Sequence, residues 1–135
     1  MNKIFSNVDN SKLICTFIRK NQIKNYRLDL SPPEEFLQVC ARKLEADVKV
    51  AAHKHTFIQR ESNMTQECWI ILEGKLKAEI FDLDGAFMQD IILESGDCIT
   101  LFRGGHSLEC LADNTLFYEF KNGPYYGVEI DKEAI

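Results

Sequence analysis

The feature that most constrains this chain is a change of rhythm at residue 46. From there on apolar residues recur with period two in short runs, and each run ends in a turn. That period belongs to strands with one face buried. Lys75 to Phe81 alternates almost cleanly, Leu76, Ala78 and Ile80 against Lys75, Lys77 and Glu79. Asp82-Leu83-Asp84-Gly85 follows as a turn, with glycine where a positive φ is required, and Phe87 to Leu93 returns. Glu94-Ser95-Gly96-Asp97 turns again before Cys98 to Phe102, and His106 to Leu111 and Thr115 to Lys121 complete the series. Upstream, Val48, Val50 and Ala52 alternate with Asp47, Lys49 and Ala51, and Glu67 to Leu72 is a further run. Closely spaced short strands with little helix predict an all-β barrel or sandwich.

Before residue 46 the pattern differs. Leu13-Ile14-Cys15-Thr16-Phe17-Ile18 is apolar and β-branched, which predicts a short strand. Ser31 can cap, Pro32 occupies a first-turn position, and Glu34 falls three residues after the serine as in a capping box. Phe36, Leu37, Cys40 and Leu44 follow at helical spacing, so a helix is expected over residues 32–44. The organisation expected is one domain. Residues 1–45 give a strand and a helix that pack on the barrel or on a partner subunit, and residues 46–135 form the barrel itself.

Charge and cysteine content narrow the function. A net charge of −5 with no Lys/Arg block longer than two residues offers no basic stripe for phosphates, so nucleic acid is excluded as a partner. The five cysteines form no C-x-x-C pair, and four lie in apolar segments, as expected of reduced thiols in a cytoplasmic protein. The N-terminus lacks the apolar core of a signal peptide, and no run approaches the roughly 20 residues of a membrane helix, so no membrane association is expected.

The chemistry-bearing residues are concentrated. All three histidines lie between residues 53 and 106. In a strand, His53 and His55 share a face while Lys54 takes the other. Extending that alternation backwards gives them Ala51 and Lys49 as face-mates, opposite the more apolar Val48-Val50-Ala52 set, so a bulge or a sheet covered on both faces is required. Two imidazoles on one face with a carboxylate from a neighbouring strand suit a divalent ion, and His106 would add a fourth ligand. Glu67 and Glu61 are rival carboxylates. Imidazole and carboxylate together accommodate Fe, Mn, Ni or Zn. The alternative for the His-x-His pair is two histidines facing solvent.

Around these residues the chain resembles the cupin family, whose members are double-sheet jelly rolls. His53, His55, Glu67 and Gly74 match the first cupin motif, and Gly96, Gly104 and His106 match the second. The spacing of Glu67 to Gly74 favours Glu67 over Glu61. Two departures stand out. Eleven residues separate His55 from Glu67 where the family has three or four, and Phe102 replaces a proline, with His106 arriving one residue early. A one-residue shift reverses a side chain's direction in a strand, and Gly104-Gly105 can absorb it through a bulge. The C-terminal Tyr118-Glu119-Phe120-Lys121-Asn122-Gly123-Pro124-Tyr125, followed by Asp131-Lys132, is similar to the WbuC-type cupins associated with polysaccharide biosynthesis.

The resemblance implies a cupin-type jelly-roll barrel, one divalent metal ion held by His53, His55, Glu67 and His106, and a homodimer. It also implies a small polar, sugar-derived ligand. Lys121, Arg60 and Tyr125 are the candidate catalytic residues, the first two to hold a carboxylate or phosphate and the third as acid or hydrogen-bond donor. Three functions are compatible with this set: a metal-dependent isomerase or oxygenase, a non-catalytic ligand- or metal-binding module, and a metal-free isomerase using a histidine as base.

Overall fold

A computed structural model describes residues 1–135. Strands β1 (Asn2–Phe5), β2 (Leu13–Ile18), β8 (Cys98–Leu101), β5 (Glu67–Glu73) and β10 (Leu116–Lys121) form one sheet, in the order β1-β2-β8-β5-β10. A second sheet has the order β7-β6-β9, built from β7 (Phe87–Glu94), β6 (Lys75–Phe81) and β9 (Gly105–Cys110). β3 (Leu28–Asp29) and β4 (Cys40–Ala41) make a separate two-stranded ribbon. Every pairing is antiparallel. The one α-helix, α1 (Val128–Asp131), is a single turn, and no helix is long and apolar enough to cross a membrane.

The strand periodicity read from the sequence is the periodicity of burial. On β6, Leu76, Ala78 and Ile80 are buried and the lysines and glutamate between them are not. They meet Trp69, Ile71, Ile91, Leu93, Ile99 and Leu101 in the core between the two large sheets. Each fully buried aliphatic side chain there contributes about 1.5–3 kcal/mol relative to exposure. The β6–β7 turn closes as expected, Asp82 N–H donating to the Ala86 carbonyl at 2.8 Å while Gly85 takes φ +82°.

A second apolar layer lies on the outer face of the five-stranded sheet. Ile18, Cys68 and Cys98 are covered there by Leu30, with Leu28, Leu37, Val39 and Ala41 packed around them. This layer explains why residues 32–44 are not a helix. Ser31 does not cap; its hydroxyl donates to the Leu37 carbonyl at 2.6 Å and accepts from Val39 N–H at 3.0 Å. Leu30 N–H donates to the Val39 carbonyl, and Leu28 and Asp29 pair with Ala41 and Cys40, so residues 28–41 double back as a flap. An isolated helix of that length is marginal, whereas the flap buries its apolar residues against an existing sheet.

The expected strand leading into His53 is also absent. Residues 42–66 contain no strand or helix, and Val48 and Val50 stand exposed. Alternation alone does not make a strand; the run has no neighbour to accept its backbone hydrogen bonds and no surface to cover its apolar set. β1, for which no expectation was drawn, pairs with β2 at the sheet edge.

Candidate functional site: a buried carboxylate with histidine and lysine

Three strands deliver one polar cluster to the end of the sandwich. Glu67 opens β5, Lys121 closes β10, and the two are direct cross-strand partners. His106 stands at the start of β9 opposite Ile80, a core residue. Gly104 takes φ +71° just before β9, and this left-handed residue turns the chain so that His106 faces inward. The β6–β9 register runs without a bulge from Gly105 onward, so the turn at Gly104 lies ahead of the strand.

Glu67 is only 4% exposed, so its charge needs partners. It has three. Lys121 Nζ lies 2.7 Å from Oε1, His106 Nε2 lies 3.3 Å from Oε2, and Trp69 Nε1 donates to Oε2 at 3.2 Å. Burial works against the carboxylate, but the hydrogen bonds from His106 and Lys121 outweigh it and bring the group down to about 2. On Lys121, desolvation is likewise outweighed by Glu67 and Glu119, and the ammonium is held above its ordinary value. Trp69 fixes the imidazole from the side, edge to face at 5.4 Å between ring centroids. His106 and Lys121 keep about a quarter and a fifth of their side-chain surface open, so the cluster is roofed but not sealed.

A second polar network supports the first from the flap side. Gln66 is buried; it accepts from Leu37 N–H at 2.8 Å and donates to Glu35 at 2.5 Å. Glu35 in turn takes both carboxylate bonds from Arg103 Nη2, at 2.7 and 2.9 Å. The flap is therefore tied to the residues flanking both Glu67 and His106. Gln66 was visible as a polar residue before an apolar run, but Glu35 and Arg103 carried no motif that would have picked them out.

The remaining expected site residues lie elsewhere. His53 and His55 are exposed on the 42–66 segment, their rings 5.5 Å apart edge to face, with His53 Nδ1 2.9 Å from the Ala51 carbonyl. Glu61, the rival carboxylate, is exposed and bonded to Gln59. Arg60 and Tyr125 are exposed. Of the three candidate catalytic residues, only Lys121 reaches the cluster.

The four expected metal ligands thus fall into two pairs. Glu67 Oε2 and His106 Nε2 are spaced as two ligands of one ion can be, each at about 2.0–2.2 Å from it. No group of three or more His, Cys, Asp or Glu side chains converges, so the residues as arranged do not complete a metal cage. The chemistry in place is that of a carboxylate, an imidazole whose Nε2 lies beside that carboxylate, and an ammonium.

Comparison with known proteins finds no family model, no curated relative and no solved structure that matches this chain.

Proposed function

We propose that this chain is a cupin-type jelly roll that binds a small polar molecule, sugar-derived and carrying a hydroxyl or an acidic group, at the Glu67–His106–Lys121 cluster. One observation carries the reading: a buried carboxylate is held ionised by a lysine and a histidine that each keep an open side. Fully buried ion pairs that serve only packing tend to be no better than apolar residues of the same volume. Here the partly open donors offer an ammonium and an imidazole edge to an incoming oxygen, with Glu67 beside both. The matched motif residues and the two facing antiparallel sheets support the jelly-roll assignment.

The test is calorimetric titration of untagged, chelator-treated protein with hexoses, hexose phosphates and small carboxylates. Binding at micromolar to millimolar concentration is expected, weakened roughly tenfold or more by Lys121→Met, because that removes a charge-assisted hydrogen bond to the ligand worth about 1.5–3 kcal/mol. Failure of every one of these compounds to bind rejects the reading.

A second reading, a divalent Fe, Mn, Ni or Zn ion at the same cluster, is favoured by the 3.3 Å spacing of Glu67 Oε2 and His106 Nε2. Metal analysis of untagged protein decides it: about one ion per chain, lost in Glu67→Ala and in His106→Ala, is the expected result. Full metal content in both variants removes these residues as ligands. The exposed row Leu116, Tyr118 and Phe120 on edge strand β10 is the surface proposed for a homodimer, and a monomer by light scattering at micromolar concentration rejects it.

A further inference from the structure

Outside the proposed ligand site, the outer face of the five-stranded sheet brings two cysteines into contact. Cys68 on β5 and Cys98 on β8 have their sulfurs 3.5 Å apart. The register explains the meeting. Cys68 pairs with Thr100 and Ile70 pairs with Cys98, so the two thiols are diagonal neighbours on the same face of adjacent strands. They sit beneath the 28–41 flap, in the apolar layer with Ile18 and Leu30. The other three cysteines have no such neighbour. Cys15 is buried in the layer between the sheets, Cys40 is exposed on the flap, and Cys110 is exposed with its thiol turned to the Ala112 carbonyl.

We propose that Cys68 and Cys98 are a reversible disulfide site, oxidised by low-molecular-weight disulfides. A separation of 3.5 Å needs only about 1.5 Å of closure to reach the 2.03–2.05 Å of a disulfide. Diagonal neighbours on paired strands stand about 7–8 Å apart, at the upper edge of disulfide reach, so closure requires the two strands to draw together as well as side-chain rotation. Access comes from the flap side. Cys98 follows the Glu94–Asp97 turn and is 8% exposed against 2% for Cys68, so an oxidant reaches the pair when the flap lifts, which releases its two-residue strands and the Thr16, Gln66 and Glu35 bonds that hold it.

The chemistry balances with that oxidant alone. One thiol of the pair, as thiolate, attacks a sulfur of the small disulfide RSSR, forming a mixed disulfide and releasing one RS⁻. The second thiolate attacks the mixed disulfide at the protein sulfur, forms the Cys68–Cys98 bond and releases the second RS⁻. The two protons lost by the cysteines end on two RSH, and the two electrons lost by the pair reduce RSSR. Because Cys68 is the residue after Glu67, the bridge would fix the strand that carries the carboxylate.

The chain lends itself to a direct test, because trypsin leaves each of the five cysteines on a different peptide, Cys68 on 61–75 and Cys98 on 78–103. The folded, reduced protein is treated with oxidised glutathione and then denatured and alkylated. The expected result is a fall in alkylated thiols from the five cysteines to three (five minus the bridged two), with a cross-link joining peptides 61–75 and 78–103. A Cys40→Ser/Cys110→Ser variant should give the same cross-link, and Cys98→Ala should instead trap glutathione on Cys68. Five alkylated thiols, a cross-link that involves a different pair, or a 68–98 bridge that forms only in denaturant each overturn the proposal.

Discussion

Lys121 and Glu67 face each other directly across the β5–β10 pair, with Nζ 2.7 Å from Oε1. The carboxylate is buried while the lysine reaches solvent, so the pair is asymmetric: Glu67 depends on Lys121 far more than the reverse. Lys121→Met keeps most of the apolar stem and removes the charge. Breaking a fully buried pair from one side costs about 3–5 kcal/mol, and the partial opening here reduces that to about 2 kcal/mol. Urea denaturation at neutral pH measures it. The loss should shrink as the pH falls from about 4.5 towards 2, where the wild type gives up the stability that the paired carboxylate contributes. An unchanged midpoint would mean that His106 and Trp69 suffice to hold the charge.

Glu67 also sets a pH dependence in metal-free protein. Its carboxyl lies at about 2 in the folded chain against an ordinary 4.5, so the unfolded state binds the proton more tightly. The stability it contributes is complete above the unfolded value, declines as pH falls below about 4.5, and is gone once pH passes below about 2. The contribution is on the order of 3 kcal/mol. Stability curves of the wild type and Glu67→Gln between pH 7 and pH 2 should converge as the pH falls. Parallel curves over that range would contradict the assignment.

The sequence was most legible where pattern and burial coincide. β2 and β6 are found at Leu13–Ile18 and Lys75–Phe81, where the alternation or β-branched run predicts them. Glu67 and His106 lie side by side because each stands at the start of a strand, Glu67 opening β5 and His106 near the start of β9. The helix over residues 32–44 failed because its local signals were real but weaker than a nearby surface to cover. Leu37 and Val39 do more against Ile18 and Cys68 than they could on an isolated helix. The strand through Val48–Ala52 failed for the opposite reason, since nothing lies beside it. Local pattern states a preference; neighbours distant in sequence decide whether it is met.

Gly104 is the point where backbone conformation controls the site. It sits at φ +71°, and a Cβ built there would come within 2.5 Å of the Phe81 carbonyl oxygen. Gly104→Ala therefore combines an unfavourable left-handed residue with a backbone clash, and should cost about 2–3 kcal/mol. Relief requires the start of β9 to move, which carries His106 away from Glu67. Thermal denaturation should show the loss, and the His106 imidazole resonances should shift relative to wild type. A variant of full stability with an unmoved His106 would show that the turn has room to relax.

Thr100 and Thr16 are partners across β2 and β8, both fully or almost fully buried on the face beneath the flap, yet their hydroxyls differ. Thr16 Oγ1 donates to the Leu30 carbonyl at 2.9 Å and so fastens the flap to the sheet. Thr100 Oγ1 has no hydrogen-bond partner. An unsatisfied buried hydroxyl costs free energy, whereas a satisfied one contributes about 1 kcal/mol. Valine has nearly the shape of threonine, so Thr100→Val should be neutral or stabilising by about 1 kcal/mol, with a melting temperature raised by a few degrees. Thr16→Val, of the same shape change, should lose about 1–2 kcal/mol because it also leaves the Leu30 carbonyl without its donor. A loss in Thr16→Val with none in Thr100→Val is the expected result of paired denaturation curves. Equal losses would mean that the Thr100 hydroxyl is bonded to one of the neighbouring thiols, Cys68 or Cys98, and that oxidation of that pair must first break this bond.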